Sequence, residues 1–313
     1  MPELPDITVY LDAIGRHIIG RRLSAIRLSS PFVVRSVAPP LDALVGSTAL
    51  GTIRIGKRIV VEFEHERFLV VHLMVAGRLR WLAPGRKPPG KIALVEFDFG
   101  DGRLVLTEAS KKKRVSVHVV DGRAALREFD RGGLGVATAT PAGFATRLRS
   151  ESHTLKRALT DPTLFDGIGN SYSDEILHRA RLSPLTLTGR LDDDSVERLR
   201  VACISVLAEW TARLSAEAGD RWPEKVTAFR DGMAVHGRFR LPCPDCGTPV
   251  QRIRYAENET NYCAECQTGG RLLADRALSR LLKADWPRSI DEFDRRIGAA
   301  RSEHGATTGK EEE

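Results

Sequence analysis

Apolar residues recur at Ile7, Leu11, Ile14 and Ile18, a spacing that gathers them on one side of a helix, while Asp12, Arg16 and Arg21 fall on other faces. This predicts an amphipathic helix ending near Gly20. Short runs rich in β-branched and aromatic residues follow: RIVVEF (58–63), FLVVHL (68–73), KIALVEFDF (91–99), RLVLT (103–107) and RVSVHVV (114–120). VEFDF and VSVHV alternate as half-buried strands do, and turn signals such as FGDGR separate the runs. An antiparallel sandwich of two sheets carrying one N-terminal helix accounts for this stretch. Beyond about residue 130 the period becomes helical. TLKRALTDPTLFDGIGN leads into SYSDEILHRARL, and SVERLRVACISVLAEWTARL (195–214) carries a long apolar stripe in which Cys203 reads as a core residue. From Cys243 the chain is a compact cysteine module; RALSRLLKADW (276–286) then reads as an amphipathic helix before a polar, disordered tail ending GKEEE. The pattern describes an α+β multidomain chain: a β-sandwich over 1–130, a helical domain over 131–240, a cysteine hairpin over 241–268 and an extension over 269–313.

A length of 313 residues suits about two domains. The longest apolar run, FLVVHLMVA, contains a histidine and is too short to span a bilayer. Glu3 and Asp6 interrupt the N-terminus before a secretion signal could form, so the expectation is a cytoplasmic protein without a membrane partner. The net charge of +7 is unevenly placed: residues 1–130 carry 21 Lys and Arg against 14 Asp and Glu, and the remainder carries 27 of each. The basic field therefore belongs to the first domain, where it favours polyanions, nucleic acid first.

The candidate chemistry lies in three places. In CPDCGTPVQRIRYAENETNYCAEC, Cys243 and Cys246 form one Cys-x2-Cys knuckle and Cys263 and Cys266 the other, with sixteen residues between. That spacing suits a hairpin holding one structural zinc, and four thiolates leave no open position for catalysis. At the other end, MPELPD admits two readings. Pro5 and Asp6 suit a helix start, whereas Pro2, once Met1 is trimmed, exposes a secondary amine able to attack a sugar aldehyde. In DGIGNSYSDEILHRARLSP, Gly167 and Gly169 allow a tight turn with close backbone approach, and Asn170 precedes a helix that either presents free amides to an anion or is simply capped.

Pro-Glu-Leu-Pro at the N-terminus, IGKRIV in an early strand, GIGN-x-Y-x-DE-x-L before a helix and a terminal four-cysteine hairpin occur in this order over nearly 270 residues. The set resembles the formamidopyrimidine-DNA glycosylase and endonuclease VIII family of base-excision repair enzymes. The resemblance implies a helix-two-turn-helix element within 131–240 and a bifunctional glycosylase/lyase acting on oxidised bases in damaged double-stranded DNA, as a monomer with one zinc. In that reading Pro2 is the nucleophile that forms a Schiff base, followed by β- and δ-elimination, and Glu3 is the general acid/base. Lys57 contacts phosphate near the lesion, Asn170 and its adjacent amides hold backbone phosphates, and Glu175 lies near the active centre or is a surface helix charge.

Three positions depart from the family's pattern. Asn258 stands where an arginine commonly grips phosphate, leaving Arg252 or Arg254 to supply the charge or merely to flank a hairpin strand. In HLMVAGRL, Val75 takes the place of a void-filling methionine, with Met74 one step away on what reads as a strand. TEASKKKRVSVHVV lacks the Arg-x-Phe wedge, although Lys111 to Arg114 suit either a duplex-facing loop or a solvated one. These departures also suit a second function, a non-catalytic damaged-DNA or DNA-structure binding protein on the same scaffold.

Overall fold

The structure, a computed structural model, describes residues 1–224, 226–255 and 258–274 and isolated positions beyond. The expected helix over 276–286 and the polar tail lie outside the described residues.

The first domain opens with helix α1 (Leu4–Ile18) and continues through strands β1 (Ala25–Leu28), β2 (Ala49–Ile55), β3 (Arg58–Phe63), β4 (Arg67–His72), β5 (Gly77–Leu82), β6 (Ala93–Asp98), β7 (Arg103–Glu108) and β8 (Ser116–Asp121). They form two antiparallel sheets, in orders β1-β6-β7-β5 and β2-β3-β4-β8. Alternation explains the layering. Ile59, Val61 and Phe63 of β3 and Leu69 and Val71 of β4 join Val95, Phe97, Leu104 and Leu106 in the core between the sheets. The residues between them, Val60, Phe68 and Val70, bury a smaller outer cluster with Val120 and Leu126.

The second domain comprises α2 (Pro141–Arg149), α3 (Leu155–Thr160), α4 (Asn170–Arg179) and α5 (Asp193–Ala218). Asp192 caps α5 by accepting the Ser195 N–H at 2.8 Å, and the stripe Leu199, Cys203, Val206, Trp210 and Leu214 is buried. Cys203 is a core residue, as its place in the stripe predicted. The cysteine module is a hairpin of β9 (Gln251–Tyr255) and β10 (Asn258–Tyr262) followed by the short helix α6 (Ala264–Thr268).

Helix α1 joins the two cores. Ile7, Tyr10, Ile14 and Ile18 of α1 pack into the sandwich, while Val9 and the partly buried Leu4 pack with the helical domain. The predicted helix is therefore wrapped on two sides, and its first turn lies where the domains meet.

Candidate active site at the domain junction

The GIG turn is shaped by what it approaches. Gly167 has φ +78°, and a Cβ there would fall 2.7 Å from Leu4 Cβ; a Cβ on Gly169 would fall 2.6 Å from Glu3 Cδ and 2.8 Å from Lys57 Nζ. Both glycines thus admit the N-terminal segment against the start of α4. Leu4 N–H donates to Gly167 O at 2.9 Å. The Glu3 carboxylate accepts N–H groups from Gly169 (2.6 Å), Ser171 (2.8 Å) and Tyr172 (3.3 Å). A carboxylate is the anion that the helix start and its unpaired amides favour. The sequence reading assigned these amides, with Asn170, to a phosphate; the structure gives three of them to Glu3. Asn170 is the first residue of α4, and its Nδ2 donates to Glu259 O at 2.9 Å, tying the helix start to β10.

Pro2 and Glu3 are buried. Burial pushes the terminal amine of the untrimmed chain below its ordinary value of 8.0, with Glu3 acting against the shift and Arg78 with it. Lys57 lies in the tight turn between β2 and β3 rather than within a strand, because Gly56 adopts φ +60° and reverses the chain. Arg54 pins that turn, bonding Gly56 O at 2.7 Å and Asp166 of the helical domain at 2.6 Å. Burial lowers the Lys57 pKa, opposed by Glu3 and Asp166. His72, not nominated from the sequence because it sits inside the apolar run FLVVHLMVA, is pushed down to about 4 by burial and by Arg58 and Lys57, and so stands neutral beside the cations.

Below this junction α4 is anchored by its own acids. Asp174 is fully buried and binds Lys156 Nζ (2.5 Å), His236 Nδ1 (2.8 Å) and Asn261 N–H (3.1 Å). Glu175, for which a surface charge was one reading, is 6% exposed and accepts the N–H groups of Ala234 (2.7 Å), Val235 (2.9 Å) and His236 (2.9 Å).

The sulfur atoms of Cys243, Cys246, Cys263 and Cys266 all lie within 4.8 Å of one another. The pairs 243–266 and 246–263 stand at 3.9 and 3.4 Å, near the roughly 3.8 Å edge of a tetrahedron with zinc–sulfur bonds of about 2.3 Å. The donor set therefore suits a structural zinc. His178 in the last turn of α4 places Nε2 at 3.2 Å from Cys243 Sγ.

On the hairpin, Asn258 is exposed at the start of β10. Arg252 and Arg254 both reach the Glu259 carboxylate at 3.3 Å, and the Arg252 guanidinium lies 4.0 Å from the Phe239 ring centre. Met74 sits in a turn with φ +51°, not on the expected strand, and puts the neighbouring Val75 61% into solvent. Lys111 to Arg114 are exposed on a loop whose base is held by Glu108, a partner of the Arg114 and Val115 amides.

Residues 1–123 match the family model of the formamidopyrimidine-DNA glycosylase N-terminal domain, 136–216 that of the formamidopyrimidine-DNA glycosylase H2TH domain, and 240–269 that of the zinc finger found in FPG and IleRS. A formamidopyrimidine-DNA glycosylase of Roseiflexus is 31% identical over 274 residues, covering 85% of this chain and all of that protein. That of Exiguobacterium sibiricum is 30% identical over 285 residues, covering 85% and 99%. An uncharacterized formamidopyrimidine-DNA glycosylase-like protein of Mycobacterium tuberculosis is 40% identical over 150 residues, 48% of this chain and 91% of that protein. Among solved structures, Lactococcus lactis Fpg in complex with DNA containing an abasic site superposes with a TM-score of 0.75 at 24% identity, covering 85% of this chain and 99% of that one. MutM in complex with DNA containing carbocyclic 8-oxo-G gives 0.76 at 24%, covering 85% and 100%.

Proposed function

The chain belongs to the formamidopyrimidine-DNA glycosylase family of base-excision repair enzymes, and from that premise we propose that it is a glycosylase with lyase activity working through its N-terminal proline. The observation that carries this reading is the convergence of buried Pro2, the Glu3 carboxylate and Lys57 Nζ at the start of α4.

After Met1 is removed, the Pro2 nitrogen attacks C1′ of a damaged nucleotide extruded from the duplex. The bond from C1′ to the base breaks, the base leaving with the proton that the nitrogen gives up, and the C1′–O4′ bond then opens as O4′ takes a proton. Because the amine is secondary, the resulting Schiff base is an iminium that draws electrons from the sugar and permits β-elimination, then δ-elimination, of the flanking phosphates. Glu3 serves as general acid/base at the opening sugar ring. Lys57 faces phosphate beside the lesion, with Asn170 at the neighbouring backbone. The arginines 252 and 254, held by Glu259, carry the hairpin's cationic contact in place of Asn258. The four cysteines hold one structural zinc that fixes the hairpin. The ligand is damaged double-stranded DNA, bound by a monomer in the cytoplasm, with affinity falling as salt rises.

The test is borohydride trapping of the untagged protein on oligonucleotides holding an abasic site, oxidised guanine, a formamidopyrimidine or an oxidised pyrimidine. A covalent adduct mapped to Pro2 by mass spectrometry, absent after Pro2→Gly substitution or N-terminal extension, is the expected result. Activity retained in an N-terminally blocked protein would refute Pro2 as nucleophile. Binding without an adduct, even at an abasic site, would favour the non-catalytic reading to which Asn258 and Val75 lend support.

A further inference from the structure

The reaction above makes no call on Arg230, which lies in the connection between α5 and β9. Its guanidinium is nevertheless buried against the first turn of α1, with Nη2 2.6 Å from Asp6 Oδ1 and the two side chains 11% and 5% exposed. The other Asp6 oxygen accepts the Glu3 backbone N–H at 2.9 Å. Residue 3 is thus held twice: its carboxylate by α4, its backbone by Asp6. Pro2 is joined directly to this doubly held residue, so the direction of its ring follows from how the Glu3 backbone is held.

The connection that delivers Arg230 is itself anchored on both sides. Trp222 Nε1 donates to Leu79 O at 3.0 Å, and its ring packs among Tyr10, His17 and Trp81. Phe229 stacks on His236, whose ring meets Asp174. Beside the Asp6–Arg230 pair runs a cavity of about 550 Å³, lined in part by Val9, Trp222 and Val226. Asp6 therefore has room to turn away, and burial disfavours its charged form while Arg230 favours it. Without the guanidinium, the carboxylate loses the buried cation that, with Glu3 N–H, holds its two oxygens in place.

We propose that Arg230 is a positioning residue for the N-terminal amine, acting through Asp6 and the Glu3 backbone to fix the direction from which Pro2 meets the sugar. The inference rests on the reading of Pro2 as nucleophile. It predicts a loss in the chemical step, because small misplacements of a reacting group cost rate steeply.

The experiment compares untagged wild type with Arg230→Met, Arg230→Lys, Asp6→Asn and the double variant Asp6→Asn/Arg230→Met. It measures the borohydride trapping rate at saturating abasic duplex, DNA affinity by anisotropy, and the urea midpoint. Arg230→Met is expected to slow trapping about 10- to 100-fold while affinity stays within about twofold. Lysine should recover part of the rate, since a point charge can reach Asp6 without the planar fork. Asp6→Asn should reproduce the defect, and the double variant should add little to either single change. Trapping by Arg230→Met at the wild-type rate would overturn the inference. So would a loss that tracks affinity or folded fraction and is not relieved by lysine. If wild type forms no adduct at Pro2, the nucleophile reading falls and this inference with it; a wild-type adduct together with an unslowed Arg230→Met removes the inference alone.

Discussion

Two carboxylates in this molecule make nearly the same bonds. Glu3 accepts three backbone N–H groups at the start of α4, and Glu175, on that helix, accepts three from residues 234–236. Both are buried, and both close a stretch of chain by satisfying amides that would otherwise be orphaned. Their surroundings differ. Glu175 ties α4 to the connection before β9 within one domain, whereas Glu3 crosses the junction from the sandwich and adjoins the chain's terminal residues and Lys57. The same bonding serves as a fastening in one place and, in the other, as a fastening beside the groups proposed to react.

That contrast can be broken by substitution. Glu3→Gln removes the charge beside Pro2 and should lower single-turnover strand cleavage by about 10²- to 10⁴-fold, the usual worth of a positioned acid/base. A cleavage rate within a factor of a few of wild type would make Glu3 a fastening like Glu175. Glu175→Gln turns an amide NH₂ toward the N–H donors of the connection and should reduce unfolding free energy by about 1–3 kcal/mol in urea melts. Its cleavage rate at saturating DNA should change far less than that of Glu3→Gln; an equal loss would show that the two sites act as one.

The far end of α4 offers a gentler probe. His178→Phe removes the imidazole beside Cys243, and chelator competition should show zinc affinity falling about tenfold or more. Unchanged affinity would mean the helix only abuts the thiolates. The smallest effect concerns pH. Burial depresses the terminal amine of the untrimmed chain, and the proposed nucleophile must be unprotonated, so the same burial at Pro2 should put half-maximal trapping at a lower pH than that at which the amine of an unburied N-terminal proline peptide titrates. A midpoint at or above that of the peptide would show that Glu3 outweighs burial at Pro2.

How much of this was legible depended on whether the information was local. Helix α1 and strands β3, β4, β6, β7 and β8 follow from period and composition, because their neighbours in sequence share their environment. The alternation in GRLRWL also carries β5, but its arginines obscure it. Strand β2 has little to show, since Gly51 and a largely half-exposed pattern weaken its period, and β1 spans only four residues. The four cysteines were legible because metal ligation demands a fixed spacing. Pro2, Glu3 and Lys57 could be nominated from motifs, yet the partners of Glu3 could not. Its carboxylate meets amides at least 166 residues away, and Arg230 reaches Asp6 across 224. No period encodes such a meeting; it comes from two cores wrapping one helix.

That remoteness sets an order of assembly. The segment bearing Pro2 and Glu3 is made before residues 169–172, so Glu3 lacks these partners until they have been made, and Asp6 lacks its guanidinium until residue 230 follows. A nascent or truncated sandwich domain therefore carries Glu3 and Asp6 without the partners that hold them. Synthesis itself delays completion of the domain junction, so fragments ending before α4 lack the amides that hold Glu3.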